Sequence, residues 1–175
     1  LQPDDRVLDV GCGYGMLGRA LAENGLVKLQ VRGLESVRRD GERIPVDAYD
    51  GRHFPYEDGS FDVVIVADVL HHEANPENLL RECVRVSRRL IVVKDHQRSG
   101  VLAQSRIALI DWAANAPYGV PCLYRYYTPD QWSRWPQTLG VDLVDAQSSM
   151  KLYPQPYQLL FGGRLQYLAV WRVPE

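Results

Sequence analysis

The sequence predicts an α/β fold built on a doubly wound sheet, and two stretches carry that expectation. Near the start, the apolar run Val7, Leu8, Asp9, Val10 leads at once into Gly11-Cys12-Gly13-Tyr14-Gly15. Residues 16–23 then space their apolar side chains as a helix does, and Asn24-Gly25 stops it. This is strand, glycine turn, helix. Farther on, Val63, Val64, Ile65, Val66 and Ala67 form a continuous apolar run, the pattern of a central strand buried on both faces.

The remaining elements follow in order. Residues 27–35 alternate in part and end on an acid, giving a second strand. Residues 37–43 are short, charged and broken by Gly41, so a reduced turn is expected where a crossover helix normally fits. Residues 44–49 read as a third strand, with Pro45 pointing to a sheet edge. Asn75 and Pro76 start a helix as N-cap and first residue, and Leu79, Leu80, Cys83, Val84 and Val86 form its apolar face. Residues 90–93 are a fifth strand, ending in Lys94-Asp95-His96. Residues 101–114 have helical spacing, and Thr128-Pro129-Asp130 to Gly140 delimits another helix. Residues 141–144 and 165–173 read as an antiparallel last pair, joined by a long connection with Pro154, Pro156 and Gly162-Gly163.

Length and composition set bounds. The chain has 175 residues, one domain's worth. A net charge of −2 gives no electrostatic case for nucleic acid or an anionic membrane. No apolar run approaches spanning length. Three cysteines, Cys12, Cys83 and Cys122, without metal-ligand spacing read as reduced thiols and a cytoplasmic location. The expectation is a single domain over 1–175.

Two cofactor classes use a strand–glycine turn–helix unit. Gly13-Tyr14-Gly15-Met16-Leu17-Gly18 fits the dinucleotide pattern, which admits a nicotinamide-dependent oxidoreductase. Asp9 argues against it, because a carboxylate at the mouth of the turn repels a pyrophosphate. It suits S-adenosylmethionine (SAM), which carries an ammonium and a sulfonium and no phosphate. Glu35, 20 residues after Gly15, is placed to accept ribose hydroxyls of either ligand.

The run from Val7 to Gly15 resembles the first motif of class I SAM-dependent methyltransferases. A second resemblance runs from Asp50-Gly51 through Phe54-Pro55-Tyr56 to Gly59-Ser60-Phe61-Asp62, like the family's acid after the third strand and its approach to the fourth. The likeness covers residues 6–96. It implies a Rossmann-like seven-stranded sheet of order 3-2-1-4-5-7-6 with the last strand antiparallel. It also implies SAM as cofactor, held by Asp9, Gly11, Cys12, Gly13, Glu35, Ser36, Asp50, Gly51 and Asp68. Members usually carry helices before the first strand, and here the sequence opens shortly before it.

The activity expected is methyl transfer to a small-molecule acceptor, with O-methylation favoured. A non-catalytic adenosyl-binding partner subunit is the other reading. His71, His72, Asp95 and His96 fall at the ends of neighbouring strands. An imidazole there takes a hydroxyl proton and a carboxylate one strand away fixes its tautomer. No catalytic metal is expected, because adjacent histidines do not easily converge on one ion. Residues 97–136 form an insertion crowded with Trp112, Tyr118, Tyr124, Tyr126, Tyr127, Trp132 and Trp135 and with Pro117, Pro121 and Pro129, a possible wall or lid for the acceptor.

Overall fold

The computed structural model describes the chain apart from Leu26, residues 119–121, Gly163 and Glu175, and apart from the side chains of Asn24, Tyr118, Leu159 and Leu160. Pro121 and Gly163, read above into the insertion and the connection, lie outside the described residues. The elements are β1 (Arg6–Val10), α1 (Met16–Asn24), β2 (Gln30–Glu35), β3 (Val46–Ala48), β4 (Phe61–Ala67), α2 (Pro76–Val86), β5 (Ser87–His96), α3 (Ala103–Asn115), α4 (Pro129–Leu139), β6 (Asp142–Gln147), α5 (Tyr157–Phe161) and β7 (Gln166–Arg172). A 3-10 turn, Leu70–His72, follows β4. The sheet order is β3-β2-β1-β4-β5-β7-β6, as the resemblance implied. Strands β3 to β5 in that order pair in parallel, and β7 runs antiparallel to both β5 and β6.

The helix ends form where the chain supplies their partners. Asn75 Oδ1 accepts from the Asn78 N–H at 3.2 Å, and Pro76 fills the first position, where no N–H is needed. Thr128 and Gln131 form a reciprocal capping box on α4, and Gly140, at φ +70°, closes that helix. No helix forms between β2 and β3, in line with the charged, glycine-broken sequence there. One expectation is corrected. The fifth strand, expected over residues 90–93, runs from Ser87 to His96, and α2 passes into it directly at Ser87. Ser87 pairs with Phe61 ahead of a register shift, and Arg89 is anchored on the buried Asp5 carboxylate at 2.7 Å.

The two faces of the sheet are covered unequally. Alternation puts Leu8, Val10, Val64, Val66, Ile91 and Val93 on one face, against Leu79, Leu80, Cys83 and Val86 of α2 and Trp132 and Leu139 of α4. Trp132 is fully buried and stacks on Tyr167 with ring centroids 4.4 Å apart. Truncating Leu80, which is sealed in this layer, costs about 2–5 kcal/mol. The opposite face buries a smaller cluster, Val7, Leu29, Val63 and Ile65, with Leu21 of α1 packed on it. The thinly covered face leaves room beside the strand ends.

Candidate active site

The first part of the site is the turn after β1. Gly11 has φ +66° and its N–H donates to the Leu34 carbonyl at 2.8 Å. A Cβ on Gly11 would lie 2.5 Å from Val69 Cγ2, so no larger residue fits. Gly13, at φ +57°, is different: a Cβ there would meet only Arg39, at 4.0 Å. The space above it is open, so ligand and not protein would fill it. Gly18, third in the dinucleotide pattern, has a packing role, since a Cβ there would come within 2.6 Å of Ile44 and 3.0 Å of Val31.

Asp9 sits beneath this turn, 2% exposed, and its Oδ2 has no hydrogen-bond partner among the described residues. Burial, and to a lesser degree the charge of Glu35, raises its pKa to about 6 against the opposing pull of the nearby Gly18 N–H. Glu35 Oε2 accepts the Gly13 N–H at 2.8 Å, which ties the end of β2 to the turn, and Oε1 accepts the N–H of the exposed Ser36 at 3.2 Å. Cys12 is half-buried; its thiol is pushed up to about 12 by burial and by Asp9 and Glu35, so it stays neutral. Asp50 is exposed, and its Oδ1 accepts from the N–H groups of Arg52 and His53 at 2.7 and 2.8 Å, with Gly51 at φ +78° in the same turn. These backbone bonds lower the Asp50 pKa. A cavity of about 500 Å³ opens beside α1 and is lined by Asp9, Gly11, Cys12, Asp68 and Lys94 among others. Asp68 holds a left-handed backbone, φ +56°, unusual for a non-glycine residue, and both its oxygens lie 2.6 Å from Lys94 Nζ.

The second part is a buried polar cluster beside Asp68. The 3-10 turn brings His71 against Asp95, with Nδ1 and Oδ1 2.5 Å apart, His71 2% and Asp95 0% exposed. Asp95 also accepts the N–H groups of Leu70 at 2.8 Å and of His96 at 2.6 Å. Burial alone would raise the Asp95 pKa, but the His71 hydrogen bond and nearby imidazoles outweigh it and lower it. Burial opposes the charged form of His71, yet Asp95, Asp111 and Asp68 together raise its pKa. His96 is lowered chiefly by burial, and its Nδ1 lies 3.2 Å from Gln166 Nε2.

The sequence reading did not include Asp111, on α3. It is 1% exposed, and its Oδ1 lies 3.6 Å from His71 Nε2 and 3.7 Å from His72 Nε2. Tyr126 donates to Asp111 Oδ2 at 2.6 Å, and Asn115 to Oδ1 at 2.8 Å. An aspartate alone on a helical stretch gives no signal of this; only the Asn115 one turn on is a local hint. The aromatic crowd divides. Trp132, Tyr127 and Trp135 pack with the main core, Trp112 and Tyr124 are exposed, and Tyr126 joins the histidine cluster.

Residues 8–90 match the family model described as a methyltransferase domain. A ubiquinone biosynthesis O-methyltransferase of Cupriavidus pinatubonensis is 26% identical over 185 residues, covering 95% of this chain and 72% of that protein. The crystal structure of an S-adenosylmethionine-dependent methyltransferase from Mesorhizobium loti superposes with a TM-score of 0.68 at 16% identity, covering 97% and 91% of the two chains. The [4+2]-cyclase SpnF also superposes, at 0.68 and 16%, over 99% of this chain and 76% of that one. Such distant structures speak to the fold, and the match over 8–90 selects SAM over a nicotinamide nucleotide for the glycine turn. Motif, sheet order and the match over residues 8–90 agree on a SAM-dependent methyltransferase with the class I fold, with S-adenosyl-L-methionine as the implied cofactor.

Proposed function

We propose that the chain methylates an oxygen of a small-molecule acceptor held beside the His71–His72 turn. The observation that carries this reading is the sealed His71–Asp95 pair at the end of β4, next to Asp68 of the cofactor crevice. When bound, SAM supplies a methyl group made electrophilic by its sulfonium.

The residues present suit that cofactor. The unpartnered, buried Asp9 oxygen is a place for an ammonium and a poor place for a phosphate. Gly11, Cys12 and Gly13 give a turn that a ligand can approach closely. Glu35 keeps lone pairs for ribose hydroxyls beyond its two backbone donors, with Ser36 beside it. Asp50 keeps its second oxygen for an adenine amino group, and Gly51 shapes that turn. Asp68, fixed by Lys94, lines the same crevice and would border the bound cofactor.

The chain's remaining work is to align the acceptor and remove its proton. His72, with 20% of its side chain exposed, is the imidazole of the cluster that an acceptor can reach. His71, gripped by Asp95, holds the turn rigid, and His96 packs behind it with ring centroids 4.9 Å apart. Residues 97–136 supply the acceptor side through α3 and Tyr126, within a single cytoplasmic domain. The net charge of −2 supports a small molecule over a nucleic acid.

The test is release of S-adenosylhomocysteine from SAM across a panel of phenols, catechols, hydroxy acids and amines, read by mass spectrometry. Turnover is expected with a hydroxyl acceptor. Turnover with amines alone would overturn the reading.

A further inference from the structure

The His71 imidazole lies between two carboxylates that reach it from different elements, and all three groups are buried. Asp95 of β5 meets Nδ1 at 2.5 Å, and Asp111 of α3 forms an ion-pair contact with Nε2 at 3.6 Å. Both carboxylates already accept from other neighbours. Asp95 takes the N–H groups of Leu70 and His96, and Asp111 takes the O–H of Tyr126 and a side-chain N–H of Asn115. A neutral imidazole offers one N–H and one lone pair. With its proton on Nδ1, the Nε2 lone pair faces Asp111. With its proton on Nε2, the Nδ1 lone pair faces Asp95. Either tautomer sets two electron-rich atoms against each other away from water, which is costly. The imidazolium has an N–H on both sides and meets both carboxylates.

We propose that His71 is held as an imidazolium between Asp95 and Asp111 throughout the neutral pH range, and that Asp111 is the positioning residue that keeps it so. The groups facing the ring from every side agree. Burial opposes the charged form, but Asp95, Asp111 and Asp68 outweigh it and raise the His71 pKa. His96 of β5, with its ring 4.9 Å from that of His71, moves the other way. Burial lowers its pKa against Asp95 and Asp68, and the charges of His71 and Lys94 add to the lowering. Tyr126 packs on both rings, at 5.9 and 5.7 Å between centroids, and donates its proton to Asp111. On the 3-10 turn itself, the His72 ring lies 4.0 Å from that of His71, and its Nε2 makes an ion-pair contact with the same Asp111 oxygen at 3.7 Å. One cation between them is also what allows two carboxylates to be buried side by side, since without it their like charges face each other. The assignment has a consequence for the reaction. With both nitrogens protonated and engaged, His71 has no lone pair with which to take an acceptor proton, so it seats the turn after β4 and is not the base. That consequence rests on the functional reading above; the protonation of His71 does not.

The experiment is an NMR titration of the full chain carrying nitrogen-15 histidine, from about pH 5 to about pH 9. The chain has four histidines, and the signals lost in His53→Gln, His72→Gln and His96→Gln leave that of His71 assigned. Both His71 nitrogens are expected at protonated shifts through neutral pH. Asp111→Asn should lower the His71 midpoint by about one unit or more. With a hydroxyl acceptor, turnover of that variant should fall roughly 10-fold at neutral pH and further as pH rises through the new midpoint, with SAM affinity kept. A neutral His71 in the wild-type chain at neutral pH, or an unchanged midpoint in folded Asp111→Asn, would overturn the proposal. Turnover lowered equally at every pH would overturn the positioning role. If Asp111→Asn does not fold, the wild-type titration decides by itself. Absence of methyl transfer to any hydroxyl acceptor would count against the functional reading and leave the titration untouched.

Discussion

The glycine-turn crevice and the histidine cluster sit side by side but are built on opposite plans. In the crevice the chain leaves things undone: an Asp9 oxygen without a donor, open space above Gly13, a cavity of about 500 Å³. In the cluster Asp95 and Asp111 already have donors on both oxygens. The crevice is defined by what it reserves for a ligand, the cluster by what it holds still. Damage to the first should therefore appear in cofactor affinity, and damage to the second in turnover.

The sharpest way to break that contrast is Gly13→Val. The left-handed φ costs about 1–2 kcal/mol of stability, which a folded domain tolerates, and the side chain enters open ligand space. SAM binding measured by calorimetry should vanish while the circular dichroism spectrum survives. His72→Ala comes next, with turnover expected to fall by about 10²–10⁴. A variant with normal turnover would remove the cluster from the chemistry.

Asp9→Asn sharpens the comparison from the stability side. Asp9 is buried, and its pKa of about 6 lies above the ordinary 3.8. The folded state therefore binds the proton more tightly than the unfolded state. Its contribution is favourable below pH ~4 and is lost as pH rises toward 6, where the carboxylate ionises in place. The loss amounts to roughly 3 kcal/mol for a two-unit shift. Asp9→Asn should remove this slope, raising Tm at neutral pH relative to wild type while weakening SAM binding. Chemical denaturation at pH 4 and pH 7 reads it. If the two proteins differ equally at both pH values, burial of this charge is not the cause. Glu35→Ala should have the smallest effect, weakening SAM by on the order of 1.5–3 kcal/mol for each charge-assisted hydrogen bond lost. Unchanged affinity would take Glu35 out of the site.

The same contrast explains what the sequence made legible. The crevice comes from contiguous stretches, residues 7–15 and 50–62, whose glycines and acids have local meaning, so the sheet order and cofactor class could be read. The placement of Asp50 was read as a ligand position, yet one of its oxygens also builds its own turn, a local bond any Asp-Gly pair can form. The cluster is assembled from β4's end, β5, α3 and the stretch at Tyr126. His71 and Asp95 could be paired because neighbouring strand ends in a doubly wound sheet lie together. Asp111 could not, since nothing in helical periodicity says which exposed-looking aspartate turns inward under a tyrosine. The aromatic crowd misled for a related reason: Trp132 and Trp112 look alike in sequence, and only packing makes one core and the other surface.

The most direct test of this division is the SAM dissociation constant of His72→Ala beside that of Glu35→Ala, measured under one condition. The account predicts wild-type affinity for His72→Ala and a clear loss for Glu35→Ala. A His72→Ala protein that folds but binds SAM as weakly as Glu35→Ala would contradict it, because the two regions would then be a single cofactor site.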